Sequence, residues 1–223
     1  MSLKGACAVV VSVLLVVGCT TGPGSQPAAS AAPTSVSAAD SSPSPAPTGS
    51  TAPHERPLTA GETQLARTVF GDSVDCSVVL VHNHAYPLLG GFQPDDTAVT
   101  PNGEMYFPEP SYLPDFSVDP RSARWFVHEM VHVWQYQLGY PVSSRGMDRA
   151  ALRYDYELDA QLRLGDYDME QQGDIVADYV AMTALGGTTS RDGRYSSADL
   201  PLYRAVLADF LADPADPVSL PKR

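Results

Sequence analysis

Cysteine, lysine and histidine are all scarce in this chain, and each shortage narrows what it can be. Cys7, Cys19 and Cys76 are its three cysteines among 223 residues. Cys7 sits in an N-terminal apolar run and Cys19 directly follows it, so Cys76 has no partner for an intramolecular disulfide. Lys4 and Lys222 are its lysines, and 14 basic residues face 26 acidic ones, a formal charge of −12. Nucleic acid is disfavoured as a partner, and no polybasic patch can grip anionic lipid. Long apolar runs are also missing. The stretch Ala6–Val17 is 12 residues long, too short to span a bilayer but shaped, behind Lys4, like a secretory signal. No internal repeat is visible.

Val16-Val17-Gly18-Cys19 resembles the lipobox of bacterial lipoproteins. The resemblance implies a signal peptide over 1–18, a lipid on Cys19, and a membrane anchor at the extracytoplasmic face. The alternative is an ordinary signal with a coincidental cysteine. Ser, Ala, Pro, Thr and Gly then dominate up to residue 57. Such a segment cannot bury enough surface to offset its ordering entropy, so 19–57 is expected to be a disordered tether. Residues 58–223 are expected to form one domain.

Periodicity and caps suggest its elements. Thr59 and Glu62 form a capping box that opens a helix to about Phe70. Val74–His82 reads as a strand, with Cys76 a small core residue on its alternation Val74-Cys76-Val78-Leu80. A loop with Pro87, Gly90 and Gly91 leads to a β-hairpin, Ala98–Thr100 against Glu104–Phe107, turned at Asn102-Gly103. Asp119, Pro120 and Gly139 punctuate a buried helix. A short helix is expected around Ala150–Arg163, a longer one from Asp168 to Leu185, and a last one over Asp199–Leu211. The fold class is α+β: a mainly helical domain with a small N-terminal sheet.

Within the buried helix stands His128-Glu129-Met130-Val131-His132. His128 and His132 lie about 40° apart around the axis, and Glu129 about 100° from His128, so two imidazoles can share one metal beside a carboxylate. With five histidines and seven glutamates in the chain, chance would produce this H-E-x-x-H pattern about 0.004 times. A catalytic zinc takes three protein ligands and keeps one open position. No histidine follows His132, so the third ligand is expected to be a carboxylate. Glu170, at a helix start four residues before Asp174, is preferred, with Glu157 as the alternative. His82-Asn83-His84 is a weaker second metal pair. Trp134 reads as core and Gln135 as a local hydrogen-bonding residue.

The Glu170-x-x-x-Asp174 spacing resembles the second motif of thermolysin-like gluzincins. That implies Glu170 as a Zn2+ ligand and Asp174 as the carboxylate orienting a ligand histidine. The run from His128 to Gly139, with Glu170-Gln-Gln-Gly-Asp-Ile-Val-Ala-Asp-Tyr179, resembles a group of bacterial zincin-like domains. Some of these accompany Rhs/Vgr-type secretion elements. The resemblance spans about Leu58 to Leu185 and implies a metallopeptidase-like fold. On this reading Glu129 is the general base, and Tyr154, Tyr156 and Tyr179 are candidate oxyanion donors, Tyr179 among the catalytic residues. The strand Glu104–Phe107 would pair with an extended peptide. The expected function is a membrane-anchored, extracytoplasmic zinc metallopeptidase, monomeric, acting on a peptide or protein substrate without nucleic acid. The alternatives are a catalytically inactive zincin-like binding or scaffolding lipoprotein, and a metal-free binding lipoprotein.

Overall fold

The computed structural model describes residues 54–89, 93–147 and 152–222. The expected signal peptide, the Cys19 anchor and all but the last four residues of the tether lie outside the described residues. So do Gly90, Gly91 and the start of the helix expected from Ala150.

Two long helices carry the architecture, each punctuated by its own sequence. The first, α2 (Pro120–Gln137), begins where the Asp119 carboxylate accepts the backbone N–H groups of Arg121 and Ser122 at 2.9 and 3.1 Å. It stops before Gly139, whose φ of +91° suits a residue without a Cβ. Phe126, Val127, Met130, Val131, Val133 and Trp134 are fully buried along it. The second, α4 (Met169–Ala184), opens with Gln171 Oε1 accepting the Asp168 N–H at 3.0 Å. Ile175, Val176 and Ala177 face the core, and α4 is the element against which α2 packs most closely.

Smaller elements brace this pair. Helix α1 (Ala60–Phe70) carries the Thr59–Glu62 capping box. Glu62 is fully buried yet paired, taking Arg56 at 2.7 and 2.8 Å and the Phe116 N–H at 2.9 Å. The sheet has order β1-β2-β3. Strand β1 (Glu55–Pro57) runs antiparallel to β2 (Leu80–His82), with Arg56 opposite Val81. Strand β3 (Met105–Tyr106) runs parallel to β2, with Val81 opposite Met105. The short α3 (Val142–Gly146) follows α2, and α5 (Leu200–Val206) and α6 (Ala208–Ala212) follow α4. Phe210 of α6 packs edge-on to Trp134 and Phe70. The architecture is α+β and mainly helical, and no helix among the described residues is long and apolar enough to cross a membrane.

Four local expectations are corrected. Val74–His82 is not one strand: a 3-10 turn occupies Cys76–Val78, because Asp75 captures the Ser77 N–H at 2.9 Å and breaks the alternation. Cys76 is accordingly only half-buried. The expected hairpin reduces to one bridge, Val99 to Tyr106, and β3 pairs along its other edge with β2. Residues 152–163 form no helix. The last helix is broken between α5 and α6 at Leu207, whose φ/ψ of −84°/6° leaves the α-helical region.

Candidate metal centre

The α2–α4 contact places the two charged motifs face to face. His128 Nε2 and His132 Nε2 each lie 3.2 Å from Glu170 Oε2, and 3.3 Å from one another. Ligand atoms at about 2.0–2.1 Å from a tetrahedral ion stand about 3.3–3.4 Å apart. The triangle therefore has the size of one face of such a coordination sphere. Among the described residues, this is the one group of three His, Cys, Asp or Glu side chains gathered closely enough to hold an ion.

Hydrogen bonds behind the triangle aim it. Asp174 Oδ1 accepts from His128 Nδ1 at 3.1 Å, and Gln135 Oε1 accepts from His132 Nδ1 at 2.9 Å. With both Nδ1 atoms acting as donors, the Nε2 atoms turn toward a carboxylate, which makes a donor set suited to a cation. Burial opposes charge on His128, but Asp174 and Glu170 outweigh it and push the imidazole up to about 10. His132 is raised in the same way, against its burial, chiefly by Glu170. Burial alone would raise Glu170, yet His132 and His128 hold it well below the usual carboxylate range. In the metal-free protein, protons thus supply the positive charge that a divalent ion would replace.

A second tier of charges holds Asp174. Arg124 Nη2 donates to Asp174 Oδ1 at 3.0 Å and its Nε to Asp178 Oδ1 at 2.6 Å. Arg191 donates through Nη2 to Asp174 Oδ2 at 2.9 Å and through its backbone N–H to Asp178 at 2.9 Å. The Tyr156 hydroxyl donates to Asp178 Oδ2 at 2.6 Å. Gly173 permits the close fit: a Cβ there would stand 2.7 Å from His128 Cε1.

Glu129 is buried on the rim of the triangle, its Oε2 accepting the Thr100 hydroxyl at 2.7 Å. Both open onto a cleft of about 690 Å³. Its lining includes Tyr86, Leu88, Leu89 and Thr97–Pro101, together with Val142, Met147, Leu152 and Tyr154, and Arg124 and Arg191 also reach it.

The remaining sequence candidates divide clearly. Glu157 is exposed and stands outside the ligand group. Tyr154 lines the cleft, its ring stacked toward His128 with centroids 6.4 Å apart. Tyr156 is committed to Asp178 and Tyr203. Tyr179 is corrected as a catalytic candidate: it packs toward Tyr203 and the core, away from the cleft. Nine residues separate it from Glu170, two and a half turns, which turns it to the opposite face of α4. The peptide-pairing strand is also corrected, because β3 is buried and Thr97–Pro101 lies between it and the cleft. His82 pairs with Glu104 at 2.9 Å, and His84 with the Ala85 carbonyl at 2.9 Å. Neither joins a three-ligand group.

Sequence reasoning missed Thr100, Arg124, Arg191 and Gly173. Two carried a local signal. Arg124 stands one helical turn before His128 on the same face, and a glycine inside a well-capped helix implies close packing. Thr100 and Arg191 reach the site from loops and carried none.

No family model matches the chain. The type VI secretion system spike protein VgrG2b of Pseudomonas aeruginosa is 38% identical over 149 residues. The match covers 63% of this chain, which spans only 14% of that protein. The solved effector domain of Pseudomonas aeruginosa VgrG2b is 35% identical and superposes with a TM-score of 0.55. That match covers 69% of this chain and 82% of the domain. These relatives correct the expected identity. The chain is not placed among gluzincin-like zinc metallopeptidases carried on membrane lipoproteins, and the inactive binding or scaffolding lipoprotein does not fit either. A ligand signature only a few residues long recurs on unrelated proteins and does not by itself identify a family.

Proposed function

The chain belongs to the family of the Pseudomonas aeruginosa VgrG2b effector domain, and we propose on that premise that it is an effector domain carrying a metal-dependent hydrolytic centre. One observation carries the reading: two imidazoles and a carboxylate, on two packed helices, converge at 3.2–3.3 Å. The pairing of His128 and His132 on α2 with Glu170 on α4 supports a zincin-like arrangement. The relative's description as a type VI secretion system spike protein supports a role for this chain in that setting.

His128, His132 and Glu170 would hold a divalent ion such as Zn2+. When bound, such an ion makes water acidic near neutral pH and polarises the oxygen of the bond under attack. The rest falls to the chain's own residues. Glu129 Oε1 takes the proton of the attacking water, while Thr100 holds Oε2 and so fixes the carboxylate plane. Glu129 then returns that proton to the leaving group. Tyr154, which lines the cleft with its ring centroid 6.4 Å from that of His128, would donate to the developing oxyanion. Asp174 and Gln135 keep both imidazoles in the ligating orientation.

The test combines metal analysis with turnover of a panel of chromogenic ester, amide and phosphodiester probes. The expected result is one Zn2+ per chain in both wild type and Glu129→Gln, with turnover of at least one probe class in wild type only. Absence of bound metal from the wild type, or undiminished turnover by Glu129→Gln, overturns the reading.

A further inference from the structure

His128 is backed by a carboxylate, but His132 is backed by a neutral amide, which can present either a donor or an acceptor. What orients that amide lies farther out. Gln135 and Gln172 are both fully buried. Gln172 Nε2 faces the carbonyls of Leu164 at 2.8 Å, Ser219 at 3.0 Å and Tyr167 at 3.4 Å. Carbonyl oxygens only accept, so the amide nitrogen of Gln172 must point at them and its oxygen must point inward. That oxygen meets Gln135 Nε2 at 3.0 Å. Gln135 Nε2 also donates to the Met169 carbonyl at 3.3 Å. Gln135 therefore presents its oxygen to His132 Nδ1, at 2.9 Å.

Reversing either amide would set acceptor against acceptor inside a buried site and leave those groups unsatisfied. The polarity thus runs one way, from backbone carbonyls through two glutamines to the imidazole. We propose that Gln135 and Gln172 are positioning residues that fix the Nδ1–H form of His132, leaving its Nε2 lone pair for the metal. The proposal rests on the metal-centre reading above. It assigns a function in the site to Gln172, which touches no ligand.

Two measurements on the ¹⁵N-labelled full chain separate this proposal from its premise. The first detects the His132 ring Nδ1–H by NMR in metal-free protein and follows its exchange with solvent. The second measures Zn2+ affinity by competition with a chelator of known strength. In wild type the Nδ1–H should be visible and slow to exchange. Gln135→Leu should abolish that signal and weaken Zn2+ binding about 10- to 100-fold. Gln172→Met keeps the length of the side chain but removes the amide. It should hasten exchange at His132 and weaken Zn2+ binding by a smaller factor, leaving the His128 ring N–H unchanged. If Gln135→Leu does not fold, Gln172→Met decides alone. An unaltered His132 signal and Zn2+ affinity in Gln172→Met overturn the relay. If wild type binds no Zn2+, the hydrolase reading fails, while the metal-free exchange rates still decide the relay.

Discussion

Thr100 Oγ1 donates to Glu129 Oε2 across 2.7 Å, joining the loop on one wall of the cleft to the carboxylate next to His128. The bond occupies one oxygen of Glu129, and on the proposed function the other takes the proton. Thr100→Val keeps the shape and removes the donor. Turnover should fall about 10-fold or more, as expected when a general base is less well held, while bound Zn2+ per chain stays the same. Metal analysis alongside steady-state kinetics checks this, and a parallel loss of metal would move Thr100 from proton transfer to ligand support.

Gly173→Ala tests the α2–α4 fit. Its new Cβ would lie 2.7–3.0 Å from three atoms of the His128 ring, so the ring must shift or the helices must part. Overpacking of this kind costs about 1–3 kcal/mol. Zn2+ affinity should fall more than stability does, because a displaced Nε2 spoils the triangle before it spoils the core. Chelator competition and thermal unfolding of one sample separate the two effects.

Arg124→Leu leaves Asp174 and Asp178 with a buried charge deficit. Arg124 is 14% exposed at its side chain, and the two aspartates are 4% and 2% exposed. Removing one partner from a buried ion pair typically costs about 3–5 kcal/mol. Denaturant unfolding should show a loss of that order, and Arg124→Lys should recover only part of it, since one ammonium cannot reproduce the forked contact.

The metal-free protein should lose stability on the alkaline side. His128 is raised in the folded state to about 10 from the ordinary 6.5. A raised basic group contributes fully below its unfolded value, and the contribution fades as pH climbs through the folded one. Melting temperature in a chelator should therefore fall between about pH 6.5 and 10. Glu170 and Asp174 are lowered, so their contribution stands above the ordinary carboxylate range and fades on acidification. Excess Zn2+ should flatten the alkaline decline, because the ion takes over the role of the protons. A decline of equal steepness with and without Zn2+ would argue that the ion binds elsewhere.

Legibility from sequence followed the range of the interactions involved. Helices α2 and α4 declared themselves because Asp119 and Pro120 at one start, and Asp168 and Gln171 at the other, act within one turn. The opposition of Glu170 to the histidine pair was accessible from ligand chemistry, once no histidine remained downstream. Tyr179 could have been set aside by counting turns from Glu170. Thr100 could not have been found, since its partner lies 29 positions away and nothing local marks a loop threonine. The strand read across Val74–His82 went astray for the reverse reason: Asp75 has a strictly local partner in Ser77, which overrode a longer alternation. Leu207 offers no glycine or proline to announce the break between α5 and α6.

The three candidate ligands sit on helices sunk into the core, whereas much of the cleft lining comes from the turns at 86–89 and 97–101, from the short α3 and from Leu152 and Tyr154. On the proposed function, chemistry and selectivity fall to different parts of the chain. A domain with the same buried triangle and other walls would then be expected to take other targets.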